Sequence, residues 1–340
     1  MRGHAASKRD VPTMGGILIC GAIFIATVLL ADVSQFYVQL GLIVLAWLTV
    51  LGGVDDYLKL TAARRGQGRQ GLYAWEKLVF QLGIGLLVGL FLYQHGVGVR
   101  EVFDQSTGTM TVVPDRHQLE HVLNLPGQRT YLPGGGGQAT GLIFLGRTAF
   151  VVLSVLLVAG LSNAVNITDG MDGLAGGTSG IVAIGLGLLA LVAGKQALAQ
   201  YLLVPHVAVS NELGVMAGSM AGACLGFLWW NCHPAQVFMG DTGSLALGGL
   251  LAYIALVIRQ EIVLLVMSAV FLVEIGSVML QVGWFKYTRI RTGTGRRIFR
   301  VAPYHHHLHM GGWTENQVVV RLWIATVLLT IVALASIKLR

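Results

Sequence analysis

The chain has 340 residues, 54% of them hydrophobic and only 11% charged, with a formal net charge of +7. A soluble domain carries about 25% charged residues, and a soluble chain this apolar would expose patches that aggregate. A lipid environment is therefore expected. The basic residues fall between apolar runs, not on one module, which argues against a nucleic-acid partner and for topology determinants.

At the N-terminus Arg2, Lys8 and Arg9 are separated from the first apolar run by Pro12-Thr13-Met14-Gly15-Gly16. No small-x-small cleavage site closes that run, so a retained membrane segment is expected, not a signal peptide. A spanning helix needs about 20 apolar residues. Candidate spans are 17–31, 38–54, 77–94, 144–162, 174–193, 212–230, 244–258, 262–284 and 318–337. These nine predict an all-α, polytopic transmembrane bundle, a single membrane domain over residues 1–340. The 46 glycines suit close helix packing in lipid. No internal repeat is seen, so the inverted-repeat signature of many transporters is missing. Cys20, Cys224 and Cys232 form an odd set without metal-ligand spacing, which argues against a disulfide framework.

With residues 1–16 placed in the cytoplasm, segments 55–76, 163–173, 231–243 and 285–317 fall on the same side. Three of these five segments are densely basic: Arg2, Lys8 and Arg9; Lys59, Arg64, Arg65 and Arg69; Lys286, Arg289, Arg291, Arg296, Arg297 and Arg300. The outside insertion 95–143 mixes signs, as the positive-inside rule expects. It reads as a small irregular or β-hairpin element, or as a disordered one.

Every polar cluster then faces the cytoplasm. Asp55-Asp56-Tyr57-Leu58-Lys59 closes one apolar run. Neighbouring carboxylates need a cation or a raised pKa, and Asp55 and Lys59, four apart, share a helix face; the rival is an ordinary polar helix end. Asn163, Asn166, Asp169 and Asp172 recur every third residue, and Gly170 and Gly173 let backbone approach a ligand. Carboxamides and carboxylates together suit hydroxyl, base-edge and metal recognition; the alternating oxygens of an EF-hand loop are absent. In Phe238-Met239-Gly240-Asp241-Thr242-Gly243-Ser244, Asp241 either ligates a metal or caps the following helix. Phe238 either stacks on a base or packs.

His305-His306-His307-Leu308-His309 lies in the basic segment. Zinc lacks nearby Cys partners; anion recognition, of a diphosphate or a lipid phosphate headgroup, is the favoured reading beside a solvated loop. Lys8, Thr13 and Lys77 add further polar contacts. Carboxylates and cations converging on one membrane face describe a site for Mg²⁺ and a phosphoanhydride.

This motif set and its order resemble the polyprenyl-phosphate N-acetylhexosamine-1-phosphate transferase superfamily. Within it, the string from Asn163 to Ala175 and the triple histidine are similar to the peptidoglycan branch, the phospho-N-acetylmuramoyl-pentapeptide transferases. The resemblance implies transfer of phospho-N-acetylmuramoyl-pentapeptide from its UDP carrier to undecaprenyl phosphate, giving lipid I and UMP. It implies Mg²⁺ on Asp241, and Asp55 as base toward the lipid phosphate or as nucleophile. Asp56 would support Asp55, and Lys59 would steady phosphate charge. Lys8, Gly170, Met171, Asp172 and Phe238 would frame the uridine, with Thr13, Asn166, Asp169 and Gly240 lining the adjoining pocket. Asn163 belongs to the same substrate-binding string, and Lys77 is a further phosphate contact. His305, with a catalytic part, and His306 and His307 would handle diphosphate and sugar. The resemblance also implies a bacterial inner-membrane enzyme, multi-pass and facing the cytoplasm, embedded among membrane lipids, with a homodimer as a further expectation.

Two features depart from the superfamily pattern. It usually has ten spans, one ahead of the Lys8 motif, where this sequence opens; a truncated or misassigned start, or a partner in that place, is expected. Leu308-His309 stands where Phe-Glu usually follows the histidines. The rivals are a UDP-N-acetylglucosamine transferase for another glycan, a lipid or ion transporter, and a non-catalytic scaffold. A transporter predicts acidic residues at mid-membrane, whereas the acidic motifs sit at span ends.

Overall fold

The computed structural model describes residues 11–65, 71–95, 98–104, 109–115, 119–132 and 138–338. It is a helical bundle: α1 (Gly16–Leu30), α2 (Phe36–Arg65), α3 (Ala74–His95), α4 (Arg147–Thr168), α5 (Leu174–Ala193), α6 (Gln196–Tyr201), α7 (Glu212–Asn231), α8 (Gly240–Val257), α9 (Glu261–Met267), α10 (Ala269–Thr292), α11 (Tyr304–Met310) and α12 (Glu315–Lys338). Among the described residues, eight of these are long and apolar enough to cross a membrane, and α1 is a shorter apolar helix of 15 residues. All nine expected spans thus correspond to helices. The 262–284 span is divided: Ser268 leaves helical geometry between α9 and α10.

Most of these helices are apolar on every side, so the outward-facing residues (Leu18, Leu29, Leu156, Trp229, Met279) are themselves hydrophobic. In water this would be an aggregation surface; around a membrane bundle it is the lipid-facing skin. The chain is a multi-pass helical membrane protein.

Helix α8 is the axis. Every residue from Asp241 to Val257 is buried, and α2 and α4 pack along it. Small residues make that possible. Gly52 of α2 lies against the backbone of Asp241 and Thr242, and Gly248 of α8 lies against Leu161 of α4, so a methyl group at either position would collide with main chain. This close approach brings the inner end of α2 onto the first turn of α8.

The 95–143 insertion contains an antiparallel hairpin, β1 (Gly98–Asp104) with β2 (Thr109–Asp115), and a second short pair, β3 (Val122–Leu123) with β4 (Ile143–Phe144). The hairpin alternative therefore holds. Arg259, just past α8, pins this end of the molecule. It is buried, pairs with Glu261 at 2.6 Å, donates to the Val122 carbonyl at 3.0 Å and lies 4.6 Å above the Phe150 ring.

Candidate active site

The opposite end of the bundle holds the motif residues. Asp55 reaches the surface of α2 in its last turns, and its Oδ2 lies 2.6 Å from Lys59 Nζ and 2.9 Å from Lys77 Nζ. The same two ammonium groups meet Asp241 of α8, Lys59 at 3.0 Å and Lys77 at 2.6 Å. The four-residue spacing of Asp55 and Lys59 does put them on one helix face. Asp55 is fully buried, and its second oxygen accepts the Leu72 N–H at 2.7 Å. Two lysines are thus held between two carboxylates from different helices.

Asp56 has another task. Its Oδ1 accepts the Asp241 N–H (3.1 Å), and its Oδ2 accepts the Thr242 N–H (2.9 Å) and hydroxyl (2.7 Å). The free N–H groups of α8's first turn are therefore capped from α2, not by Asp241 itself. Gly240 is held at φ 73°, and a methyl group there would meet Asp56 Oδ2 at 2.6 Å. Asp56 thereby fixes where Asp241 stands.

Helix α4 ends at Thr168, so the every-third spacing continues on a helix only as far as Asn166. Asn166 donates to Asp241 Oδ1 (3.0 Å) and Ser244 Oγ (2.9 Å). Asn163 turns elsewhere and donates to Gln81 Oε1 at 2.7 Å. Beyond the helix the chain makes a turn through Asp169–Gly173, with Gly173 at φ 80°. Asp172 Oδ2 bonds His233 Nδ1 (2.9 Å) and the Ala235 N–H (3.2 Å), fastening this turn to the segment that carries Phe238. Asn231 accepts from the Gly173 N–H and donates to the Val237 carbonyl. The Pro12–Gly16 segment closes the same wall by backbone bonds to Phe238 and Met239.

These elements enclose a cavity of about 490 Å³. Thr13, Asp56, Lys59, Asn166, Asp169, Gly170, Met171, Asp172, Phe238, Gly240 and Asp241 all line it, and so does Asn231. Burial, with the charges of Asp241 and Asp56, pushes the Asp169 carboxyl up to about 7. Lys77 and Asp55 sit beside the cavity through their shared contacts, and Asn163 does not line it. Lys8 lies outside the described residues.

The histidines occupy α11. His305 is fully buried, with Nδ1 3.0 Å from Oε2 of Glu274 on α10. It does not itself line the cavity but lies against Gly170, which does and where a methyl group would be 2.5 Å from Nε2. His306 packs on His305, and burial lowers its basicity. His307 stacks on Tyr304 and accepts the Arg300 N–H. Neither lines the cavity. Glu274 corrects one sequence expectation: an acidic residue does lie inside a span, but it is buried against His305. Its position within 262–284 was the available signal. Gln81, Asn231 and His233 gave none, because their partners are remote in sequence.

Oxygen atoms of Asp55, Asp56 and Asp241 lie within 4.8 Å of one another. Hard carboxylate donors of this kind suit Mg²⁺ together with phosphate oxygens. Asp56 is committed to the α8 backbone and buried Asp55 to the Leu72 N–H and both lysines, which leaves Asp241, lining the cavity, as the group placed to hold such an ion.

The sequence profile described as Glycosyl transferase family 4 matches residues 36–259, more than half the chain. The match runs from the start of α2 past the end of α8, and so includes both lysines and all three carboxylates. Transferases of this kind join a sugar phosphate from a nucleotide donor to a polyprenyl phosphate, and in general they depend on a metal. The chain belongs to glycosyl transferase family 4, within the polyprenyl-phosphate hexosamine-1-phosphate transferase superfamily.

Proposed function

We propose that this protein transfers phospho-N-acetylmuramoyl-pentapeptide from its UDP carrier to undecaprenyl phosphate, forming lipid I and releasing UMP. The observation that carries the reading is the meeting of Asp55, Asp241, Lys59 and Lys77 at the edge of a polar cavity walled by the Asp169–Gly173 turn and Phe238. The muramoyl substrate is favoured by the string Asn163 to Ala175 and by Pro303-Tyr304-His305-His306-His307.

In the transfer, an oxygen of the lipid phosphate attacks the sugar-bearing phosphorus. The bond from that phosphorus to the bridging oxygen breaks, and UMP leaves with the electron pair. Such chemistry depends on positioning and charge neutralisation more than on covalent help from the protein. Lys59 and Lys77 supply the positive charge, and Asp55 holds both ammonium groups in place. Because Asp55 is buried with both oxygens engaged, its part in a one-step transfer is to orient Lys59 and Lys77, and taking the lipid phosphate's proton requires that one of these contacts be exchanged. Mg²⁺ held by Asp241 would neutralise charge on the diphosphate. Phe238, Gly170, Met171 and Asp172 frame the base, and Asn166 keeps Asp241 turned toward the cavity. Lys8 completes the uridine contacts, and His305 to His307 serve the sugar end. The bundle resides in the bacterial cytoplasmic membrane with this end inward, beside the basic clusters that favour that side.

The test is Mg²⁺-dependent UMP release by purified protein in detergent with undecaprenyl phosphate and competing donors. Release from the muramoyl-pentapeptide donor is expected. Release from UDP-N-acetylglucosamine alone would assign the chain to another branch, and none from either would remove the reading.

A further inference from the structure

Glu274 lies within α10 with no exposed surface. A carboxylate inside a membrane span is costly to keep, and one that is kept marks function by default. Its Oε2 accepts both the backbone N–H (3.2 Å) and Nδ1 (3.0 Å) of His305. The tautomer that gives its Nδ1 proton to this carboxylate leaves a lone pair on Nε2. That nitrogen is buried and has no hydrogen-bond partner among the described residues. An orphaned polar atom in a packed interior calls for an explanation.

The surroundings of Nε2 supply one. It stands against Gly170, where even a methyl group would lie 2.5 Å away. Gly170 is exposed and lines the cavity between Asp169 and Met171. The turn is pinned at Asp172 and Gly173, while Gly170 carries no side chain to block the ring from the cavity. The ring is therefore locked on its Nδ1 side and unsatisfied on the side nearest the cavity.

We propose that Glu274 is a positioning residue for the transfer. It fixes the tautomer and plane of His305 so that Nε2 accepts a hydroxyl or amide hydrogen from the donor's sugar end once the backbone at Gly170 shifts. This rests on the reading of the site as a sugar-phosphate transferase. It differs from anion recognition by the histidine run, because the group offered is a lone pair.

The test is a double-mutant cycle with steady-state kinetics for both substrates. Gln at position 274 keeps a carbonyl oxygen able to accept the Nδ1 proton, whereas Leu does not. Glu274→Leu is expected to lower kcat/KM for the nucleotide-sugar donor roughly 100-fold, with KM for the lipid phosphate unchanged and Glu274→Gln restoring most of the loss. His305→Ala should fall as far, and adding Glu274→Leu to it should cost nothing more. Effects that multiply, or a Gln variant no better than Leu, overturn the proposal. A second readout needs no variant at 274: NMR of nitrogen-labelled histidine should show a ring protonated at Nδ1 and bare at Nε2 that disappears in His305→Ala. A His305 ring protonated at Nε2, alone or together with Nδ1, overturns it equally. Wild-type turnover is measured alongside. A wild type inactive with every donor removes the proposed function, while an active wild type with multiplying effects removes only the role of Glu274.

Discussion

Lys77 Nζ lies 2.6 Å from Asp241 Oδ2, joining residues 164 positions apart in the chain. The same nitrogen lies 2.9 Å from Asp55, so this lysine, half-buried at the start of α3, is the clasp between α2 and α8. Lys77→Met should lower kcat by about 10²–10³-fold, the scale of losing one preorganised charge-stabilising group. Donor KM should change little. UMP release at saturating substrate checks this, and a variant within twofold of wild type would show that Lys77 only braces helices.

Asp241 is expected to matter through the metal as well as through the lysines. Asp241→Asn keeps the acceptor for Lys77 but removes a charge, so turnover should fall by at least about 10²-fold. The residual activity should need more Mg²⁺ for half-maximal rate. Asp56→Ala should differ in kind. Its carboxylate is spent on the first turn of α8, so a cap loss of about 0.5–2 kcal/mol should appear as lower thermal stability, with the Mg²⁺ requirement less altered. Titration of rate against Mg²⁺ for the two variants separates them; identical curves would contradict the division of labour.

What was legible in the sequence follows the range of the interactions. Apolar runs fix each helix locally, so all nine runs are helical and eight include a helix long enough to cross a membrane, and Asp55 with Lys59 was readable because a helix repeats within four residues. The uniform every-third reading of Asn163 to Asp172 failed at Thr168, where the helix stops and Asp169 enters a turn. Asp56 as the cap of a helix 185 residues onward was invisible, as was His233 on Asp172, because nothing local encodes a partner that only folding supplies. Glu274 was readable as an acidic residue in an apolar run, but its partner was not.

Asp169 predicts a pH dependence. Its carboxyl is raised from 3.8 to about 7 by burial and by the nearby charges of Asp241 and Asp56. The unfolded chain therefore ionises this group at lower pH than the folded one. Its contribution favours the fold below pH 3.8 and is lost as pH rises toward 7. Without Mg²⁺, wild-type melting temperature should decline between about pH 4 and pH 7 more than that of Asp169→Asn, whose side chain stays neutral. With Mg²⁺, affinity for the ion should climb over the same interval and the Asn variant should flatten the climb. Parallel melting curves for the two proteins would show that Asp169 does not titrate there.

At the far end of the bundle, Arg259 and Glu261 form a buried pair remote from the cavity. Both are at most 1% exposed and lie 2.6 Å apart. Arg259 also holds the Val122 carbonyl and so ties the insertion to the end of α8. Removing one member of such a pair leaves a buried charge without its counter-ion, a loss of about 3–5 kcal/mol, whereas replacing both by apolar residues of similar size is often tolerated. Glu261→Leu should therefore melt well below wild type in detergent, and Arg259→Met with Glu261→Leu should recover much of the difference. Because the pair does not touch the cavity, whatever fraction of Glu261→Leu remains folded should keep the wild-type KM for both substrates. A double variant less stable than the single would show that Arg259 acts chiefly through Val122 and Phe150, with the ion pair secondary.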